Sequence, residues 1–417
     1  MTEPSPPSRR LSLAVTLVAG IAFVTLAGLL VPWDWLPGGQ ITKVAADDVF
    51  TAAEIERGEH VSGLLRLAGW GNLVLSVVVA ALLGFTKLGS AAVGRLPGRW
   101  WARTILAALL VTAIGRLATL PLAWSAQRVE LSEGLSRQAW ANWVADQALG
   151  LGVSWAFATI ALLTLVGLAR KASRTWPLWA ALAAAGLTML GSFAYPVVVE
   201  PLFNDFTSMA RGELRSDILA LAEREEVAVD DVLVADASRR TTRLNAYVSG
   251  FGSTRRVVVY DTLLTGLPGE QVEIIVAHEL AHAKHRDVLT GTALGAVGAG
   301  FGVGLLALVV GGRRVLRQVD ADGAGDPRLV PCLLGLALVG SLLASPVQST
   351  ISRAVEARAD RTSLAATGET ETFIAMQKQL ALRSLADPTP PTWSHFWFGS
   401  HPTTLQRIGL AESLASD

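Results

Sequence analysis

The chain has little charge and almost no cysteine. Asp, Glu, Lys and Arg make up 17% of its 417 residues, against about 25% in soluble domains, so much of the surface faces something other than water. The formal net charge is zero, and without a basic excess nothing indicates a nucleic-acid partner. The single cysteine, Cys332, excludes an intrachain disulfide and leaves the redox compartment open. Five lysines accompany thirty arginines, a bias that favours a GC-rich bacterial source.

Long apolar runs take the place of the missing charge. Hydrophobic residues make up 51% of the chain, and the mean hydropathy is +0.43. Runs long enough to cross about 30 Å of hydrocarbon predict seven membrane spans. The first run follows two arginines and can be read as a signal peptide, but its length favours an uncleaved span. The predicted spans are 11–32, 66–86, 104–124, 147–169, 176–198, 288–312 and 328–350.

Two polar regions interrupt the spans, and their patterns predict short elements. The first predicts a helix, three strands and a second helix that can continue into the next span. These elements are 207–226, 232–235, 245–250, 256–260 and a helix from about Gly269, with a turn at 250–253 joining the last two strands. The second polar region predicts three helices broken by a proline-rich loop. These helices are 351–367, 369–384 and 402–413.

Residues 278–282 read His-Glu-Leu-Ala-His. On a helix, two histidines four residues apart lie on one face, so both rings can bind the same zinc ion. Glu279 between them can then act as general base on a water activated by zinc. Apolar residues at 272, 275, 276, 280 and 283 give the helix a buried face, which favours a metal site over two solvated histidines.

A catalytic zinc needs a third protein ligand and an open fourth position. Past the last span, Glu356 and Asp360 are four residues apart and share a helix face. Glu356 can complete the ligand set, while Asp360 can accept the second ring N–H of a ligand histidine and fix its orientation. The spacing equally allows an ordinary charged helix face, on which Arg353 and Arg358 would be the partners of these carboxylates.

His401 and Arg407 are candidates for stabilising the reaction. Peptide hydrolysis develops negative charge on an oxyanion, and a positioned donor beside the metal stabilises it. His401 can be that donor, with Arg407 holding it or binding substrate. The alternative for this segment is a plain surface turn at 400–402.

Arg116 lies inside the third predicted span. A charged side chain within the bilayer is costly, so it faces protein or water rather than lipid. The sequence leaves two alternatives open: Arg116 lines a wet chamber, or it pairs structurally.

The loop charges predict an orientation. Thirteen basic residues fall on the side of the amino terminus, and the positive-inside rule places that side in the cytoplasm. The short loops of the other side are rich in acidic residues, and with seven spans both polar regions lie on that outer side. The thirteen residues are Arg9, Arg10, Lys87, Arg95, Arg99, Arg103, Arg170, Lys171, Arg174, Arg313, Arg314, Arg317 and Arg328.

Six segments, in this order, resemble the integral-membrane zinc metalloproteases of the type I CAAX prenyl endopeptidase and HtpX-like group. The seven-span layout is more similar to the prenyl protease branch than to the shorter HtpX branch. The eukaryotic prenyl proteases work on the cytosolic side, so the resemblance and the loop charges leave the side of the site open. The six segments are 195–206 (YPVVVEPLFNDF), 236–250 (DASRRTTRLNAYVSG), 260–264 (YDTLL), 278–282 (HELAH), 356–360 (EARAD) and 400–407 (SHPTTLQR).

The resemblance implies a ligand set and a base. One zinc ion per chain would be bound by His278, His282 and Glu356, with Glu279 as the base. It also implies a wet chamber enclosed by the spans, with the zinc at its rim.

The resemblance further implies a substrate strand. Asn245, Ala246 and Tyr247 and the rest of their strand would pair with an extended peptide. An exposed strand edge suits this role, because main-chain hydrogen bonds hold a peptide there.

These inferences predict a mainly α fold: a multi-pass membrane protein of about seven spans, with a small α+β zincin-like catalytic domain split across the last two spans. The predicted parts are a five-span region (1–198), a catalytic region with the substrate strand and the motif helix (199–287), two transmembrane helices (288–350), and a C-terminal catalytic region with the third ligand (351–417).

The function we predict is zinc-dependent endopeptidase activity on membrane-associated, lipidated or unfolded peptides and proteins. The predicted location is the bacterial plasma membrane, with the lipid bilayer as partner and the amino terminus in the cytoplasm. One alternative is a CaaX-type protease that processes prenylated proteins. The other is a metal-binding membrane scaffold without turnover.

Overall fold

A computed structural model describes residues 7–34, 41–250 and 255–416. The chain is mostly helical, with one small sheet in the polar region between the fifth and sixth spans. The α-helices are α1 (Arg9–Leu30), α2 (Ala46–Val49), α3 (Ala52–Gly84), α4 (Lys87–Gly94), α5 (Trp100–Ser132), α6 (Trp140–Lys171), α7 (Trp176–Ala194), α8 (Glu200–Phe203), α9 (Glu213–Arg224), α10 (Asp261–Gly266), α11 (Gly269–Lys284), α12 (Asp287–Val310), α13 (Arg313–Gln318), α14 (Val330–Thr367), α15 (Thr370–Ser384), α16 (Thr392–Phe398) and α17 (Thr404–Ser416). The strands are β1 (Phe206–Ser208), β2 (Asp231–Ala235), β3 (Ala246–Ser249) and β4 (Arg256–Tyr260).

Among the described residues, seven helical segments are long and apolar enough to cross a membrane, which confirms the predicted number of spans. Most extend beyond the apolar runs that predicted them. They are Arg9–Leu30, Ala52–Gly84, Trp100–Ser132, Trp140–Lys171, Trp176–Phe203, Asp287–Val310 and Pro327–Thr367.

The second span shows why hydropathy underestimates helix length. The apolar run begins at 66, but α3 begins at Ala52 because Thr51 and Glu54 form a capping box. The Thr51 hydroxyl accepts from the Glu54 N–H, and the Glu54 carboxylate accepts from the Thr51 N–H at 2.8 Å. The N-terminal half of α3 contacts the C-terminal region, where Arg66 pairs with Asp387 at 2.7 Å.

The sheet has the strand order β1-β2-β4-β3, with β2 and β4 parallel and the other two pairs antiparallel. The strands at 232–235, 245–250 and 256–260 lie within one residue of their predicted ends. The helix predicted at 207–226 begins late, at Glu213, because 206–208 pair with β2 as an edge strand instead. The turn predicted at 250–253 lies mostly outside the described residues.

Apolar side chains of the sheet, α9, α11 and α15 form the core of the catalytic region. Fully buried members include Ile218, Val257, Leu280 and Phe373. A second buried cluster lies between the spans, around Trp176. Because α11 packs between the sheet and α14, its histidines lie where the catalytic core meets the last span.

The motif helix does not continue into the sixth span. α11 ends at Lys284, and α12 begins at Asp287 after Arg286 adopts a left-handed conformation with φ +58°. A non-glycine residue in that region is uncommon and marks local strain. α14, in contrast, runs unbroken from Val330 to Thr367, so the last span and the segment with Glu356 and Asp360 are one helix.

Candidate metal centre

His278, His282 and Glu356 bring their ligand atoms together in the folded chain. The two histidines are one turn apart on α11, and Glu356 reaches them from α14. His278 Nε2 lies 3.2 Å from His282 Nε2 and 3.1 Å from Glu356 Oε2, and His282 Nε2 lies 3.6 Å from Glu356 Oε1. The fold thus brings three possible metal-ligand atoms to one point, although His278 and Glu356 are 78 residues apart in sequence.

These separations fit a tetrahedral ion. Bonds of about 2.1 Å to nitrogen and oxygen place tetrahedral ligand atoms roughly 3.4 Å apart, and the three observed distances fall on either side of that value. Two imidazole nitrogens and one carboxylate oxygen are also the donor set of catalytic zinc sites, which leave the fourth position open. The residues present therefore fit a catalytic zinc ion.

Carboxylates on the far side of both rings support the same conclusion. His278 Nδ1 lies 2.9 Å from Asp360 Oδ1, and His282 Nδ1 lies 2.9 Å from Asp287 Oδ2. A carboxylate only accepts, so each Nδ1 carries the hydrogen, and a ring that is neutral then directs its Nε2 lone pair inward. Two lone pairs facing one another and Glu356 repel unless a cation lies between them.

The electrostatics of His278 point the same way. Burial lowers the pKa of His278, but hydrogen bonds to Asp360 and Glu356 outweigh burial and raise this pKa to about 10. The cluster of carboxylates thus favours a positive charge at this point. A metal ion and a proton compete for that place, as in metal sites generally.

Asp287 is the residue of this site that the sequence analysis missed. Its Oδ2 accepts from His282, and its Oδ1 accepts from Arg358 on α14. The break at Arg286 turns the first residue of α12 back towards α11, and no periodicity in the sequence signals such a turn. His282 therefore has an orienting carboxylate of its own, as His278 has Asp360.

Replacing Asp287 by alanine is expected to lower zinc affinity by about 10- to 100-fold, the range seen when an orienting partner of a metal ligand is removed. Competition with a metallochromic chelator on the purified full chain measures this. Asp322→Ala is the control, because that side chain is 83% exposed and pairs with Arg328, away from the metal centre. Equal zinc affinity of Asp287→Ala and the parent protein would show that Asp287 does not orient His282 for zinc binding and serves only in its ion pair with Arg358.

Glu279 lies beside the ligands without being one of them. Burial raises the pKa of its carboxyl group, while the adjacent His278 and His282 lower it by a smaller amount. A half-buried carboxyl group of raised pKa both takes and returns a proton more readily than an exposed one.

Arg407 holds Asp360 in a buried pair. Its Nε donates to Asp360 Oδ2 at 2.8 Å, and its Nη2 to Oδ1 at 2.5 Å. The Asp360 side chain has no exposed surface, and that of Arg407 is 13% exposed. Arg407 thus contacts the carboxylate behind His278, on the side away from Glu356, and its predicted catalytic role stays a prediction.

His401 lies on the open side of the ligands. Its Nε2 is 3.3 Å from Glu356 Oε2, and its side chain is 56% exposed. Its backbone carbonyl accepts from the ring of His395 at 2.9 Å. Arg353 donates to the carbonyl of Gly399 at 2.7 Å and so fixes the segment just before it to α14. His401 is therefore placed to contact a group at the fourth position.

The alternative pairing of the α14 charges is absent among the described residues. Arg353 bonds backbone carbonyls, and Arg358 pairs with Asp287, so neither occupies Glu356 or Asp360. His285, the other histidine of this segment, bonds Thr362 at 3.0 Å and points away from the three ligands.

The predicted substrate strand is the edge of the sheet, because β4 is its single neighbour in the strand order. The Asn245 carbonyl accepts from the Tyr260 N–H at 3.0 Å, which makes 245–260, 247–258 and 249–256 the hydrogen-bonded pairs. The N–H and C=O groups of Ala246 and Val248 therefore point away from β4. Within the described residues, no strand pairs with those four groups, which form an edge beside α11, the helix of the metal ligands.

Glu200, which the sequence analysis did not single out, contacts the same strand. Its Oε2 accepts from the hydroxyls of Tyr247 at 3.5 Å and Ser249 at 3.3 Å. Because residues two apart on a strand share a face, one carboxylate holds both. Glu200 follows a π-helical turn at Tyr195–Val199, within the last part of the fifth span, so this contact joins the strand to the membrane region.

Two families match this chain. Peptidase family M48 matches residues 208–415, and the CAAX prenyl protease N-terminal family of five membrane helices matches residues 62–205. The uncharacterized metalloprotease YhfN of Bacillus subtilis is 32% identical over 313 residues, which are 74% of this chain and 73% of that protein. A CAAX prenyl protease 1 homolog of Oryza sativa subsp. japonica is 30% identical over 251 residues, 57% of this chain and 56% of that protein.

Among solved structures, the crystal structure of Ste24p from S. mikatae has the same fold. The TM-score is 0.77 at 20% identity, and the match covers 96% of this chain and 99% of that one. The likeness extends over the membrane spans as well as the catalytic region, which confirms the predicted architecture.

Proposed function

We propose that this chain, which belongs to peptidase family M48 and is a multi-pass membrane metalloprotease, is a zinc-dependent endopeptidase acting on membrane-associated peptides and proteins. The observation that carries the proposal is the convergence of His278, His282 and Glu356 at tetrahedral spacing, with Glu279 beside them. Zinc, when bound there, supplies a Lewis acid that polarises a carbonyl and lowers the pKa of water.

The side chains around the ligands would transfer the proton, stabilise the oxyanion and position the ligand rings. Glu279 takes a proton from the attacking water and gives it to the leaving amine. His401 donates a hydrogen bond to the oxyanion from the open side of Glu356. Asp360 and Asp287 hold the two ligand rings, and Arg407 acts through Asp360 as a positioning residue.

The substrate binds as an added strand. A peptide alongside β3 receives and donates main-chain bonds at Ala246 and Val248, whose backbone groups point outward. The contacts of Tyr247 and Ser249 with Glu200 keep that edge fixed while the peptide binds. Main-chain recognition of this kind accepts many sequences. This suits a protease whose substrates have in common an extended segment at the membrane surface and not a particular sequence.

A second candidate, processing of prenylated CaaX proteins, has two observations in its favour. The five-helix region matches the prenyl protease N-terminal family, and a cavity of about 680 Å³ lies between the spans. The prenyl protease homolog of Oryza sativa is matched over 56% of its length, and a bacterial cell is not expected to contain prenylated proteins.

Cleavage of two peptides by purified, zinc-loaded protein tests both candidates. The peptides are identical except for a prenyl group on a cysteine near the C-terminus, and Glu279→Gln protein is the control. We expect cleavage of both peptides by the parent protein and of neither by the variant. Cleavage of the prenylated peptide alone would establish the second candidate, and cleavage of neither by the parent protein would contradict both.

We also propose that the metal site faces outward from a bacterial plasma membrane. The carbonyl of Arg174 bonds Ser8, and Arg170 bonds the carbonyl of Gly325, so three basic loops lie together at the end of the bundle that the positive-inside rule places in the cytoplasm. The same peptides added to intact cells report on this, since an outward site cuts them without lysis.

A further inference from the structure

A cavity with a mostly apolar lining lies within the membrane region, apart from the metal centre. It has a volume of about 680 Å³, is partly open, and lies between α3, α5, α6 and α14. Polar side chains from three of these helices line it: Asn72, Ser76, Arg116, Gln147 and Ser154. A volume of this size accommodates a drug-sized ligand or a few residues of a peptide.

Arg116 is the charged group of this cavity, and within the described part of the chain its guanidinium has no acidic partner. The nearest carboxylates along the two helices are already engaged. Glu130 on α5 pairs with Arg243 at 2.8 Å, and Asp146 on α6 bonds Gln138 at 2.6 Å. The fold therefore does not provide the structural pairing that the sequence left open. Arg116 is partly exposed in the cavity, and a cation within the bilayer without a counter-ion is costly.

The other polar groups around Arg116 add hydrogen-bond donors. Ser76 donates to the side-chain oxygen of Asn72 at 3.4 Å, which leaves the Asn72 amide hydrogens for another acceptor. Gln147 and Ser154 have no hydrogen bond from their side chains to the rest of the described residues. One cation with several free donors is the arrangement that binds an oxyanion.

The depth of Arg116 in the bilayer indicates whether the oxyanion is a peptide carboxylate or a lipid phosphate. Sixteen residues of α5 lie on either side of it, and at 1.5 Å per residue each end of the helix is about 24 Å away. Arg116 therefore lies near the middle of the bilayer, about 15 Å from either edge of the hydrocarbon core and further from the lipid phosphates. A peptide entering from the catalytic end brings a carboxylate to this depth more readily than a phospholipid does.

The last span connects the cavity to the metal centre. α14 lines the cavity at Leu334, Gly335 and Leu338 and carries Glu356 eighteen residues further on, about 27 Å along the helix. An extended peptide covers that distance with about eight residues. We propose that the cavity binds the C-terminal carboxylate of a substrate peptide, with Arg116 as its ion-pair partner. This inference rests on the proposed endopeptidase function, and it identifies substrates that are cut about eight residues from a free C-terminus.

Direct binding tests the inference apart from catalysis. The protein is full-length Glu279→Gln in nanodiscs, and the probes are two fluorescent apolar peptides of about twelve residues, one with a free C-terminal carboxylate and one with a C-terminal amide. We expect the acid to bind about 10- to 100-fold more tightly than the amide, the usual effect of a hydrogen-bonded charge. Arg116→Gln in the same background should bring the acid to the affinity of the amide, and Arg116→Lys should keep part of the preference.

Arg128→Gln is the matched control, because Arg128 lies on the same helix and stacks over Trp124 outside the cavity. It should keep the full preference for the acid. Equal affinity for acid and amide in the Glu279→Gln protein overturns the inference, because Arg116 would then be solvated by water or lipid and not by a peptide carboxylate. If the parent protein cleaves both peptides at equal kcat/KM, the endopeptidase function holds and the carboxylate site is contradicted. If binding shows a preference for the acid that depends on Arg116 but no peptide is cleaved, the carboxylate site holds and the endopeptidase function is contradicted.

Discussion

Replacing Glu279 by glutamine should lower turnover of a peptide substrate by about 100- to 10,000-fold, the usual contribution of a general base, while the zinc content stays at that of the parent protein. The three ligand atoms come from His278, His282 and Glu356, so the loss of the Glu279 carboxylate removes none of them. Glutamine keeps the size of the side chain, and the change is confined to proton transfer. Measuring kcat and zinc per chain on the same sample separates the two effects.

Glu273→Gln is the matched control for this variant. Glu273 lies on the same helix, six residues earlier, where its neighbours are charged residues of α9 rather than the metal ligands. Its replacement should leave both kcat and zinc content near those of the parent protein. If Glu279→Gln loses its zinc, Glu279 is a ligand and the three-residue set is incomplete; if it keeps full turnover, another group is the base.

The sequence predicts the spans and the motif helix because both depend on local patterns. Hydrocarbon thickness sets the length of an apolar run, and two histidines four apart share a helix face wherever the helix lies. The helix starts were less accurate, since the capping box at Thr51 lies in a polar stretch that hydropathy ignores. Residues 207 and 208, at the start of the predicted helix 207–226, pair instead with β2, a strand more than twenty residues away that no local pattern reveals.

The contacts behind the ligands depend on tertiary structure, and the sequence predicts only one of them, that of Asp360 with a ligand histidine. Asp360 shares a helix face with Glu356, and its spacing made it a candidate. Asp287 reaches His282 through a left-handed residue at Arg286, a conformation that arginine rarely adopts and no pattern predicts. The partner of Asp360 was equally hidden, because α17 brings Arg407 to it from 47 residues away.

Arg407 makes the second large prediction. Arg407→Leu leaves Asp360 fully buried with His278 as its remaining partner. Breaking a buried ion pair on one side costs about 3–5 kcal/mol, because the other charge stays desolvated. We expect the unfolding midpoint of the full chain in detergent to fall markedly and zinc affinity to fall with it, since His278 loses its fixed partner. Arg215→Leu should have a much smaller effect, because its pair with Asp231 is partly exposed.

A second substitution distinguishes the two roles open to Arg407. Asp360→Asn removes the stranded charge but still offers an oxygen to the Nδ1–H of His278, so Arg407→Leu combined with Asp360→Asn should be more stable than Arg407→Leu alone. Such recovery is the mark of a residue that acts through Asp360. If Arg407→Leu instead unfolds at the temperature of the parent protein, binds zinc normally and loses kcat, then Arg407 contacts the substrate or the oxyanion. In that case the ion pair seen here would open when substrate binds.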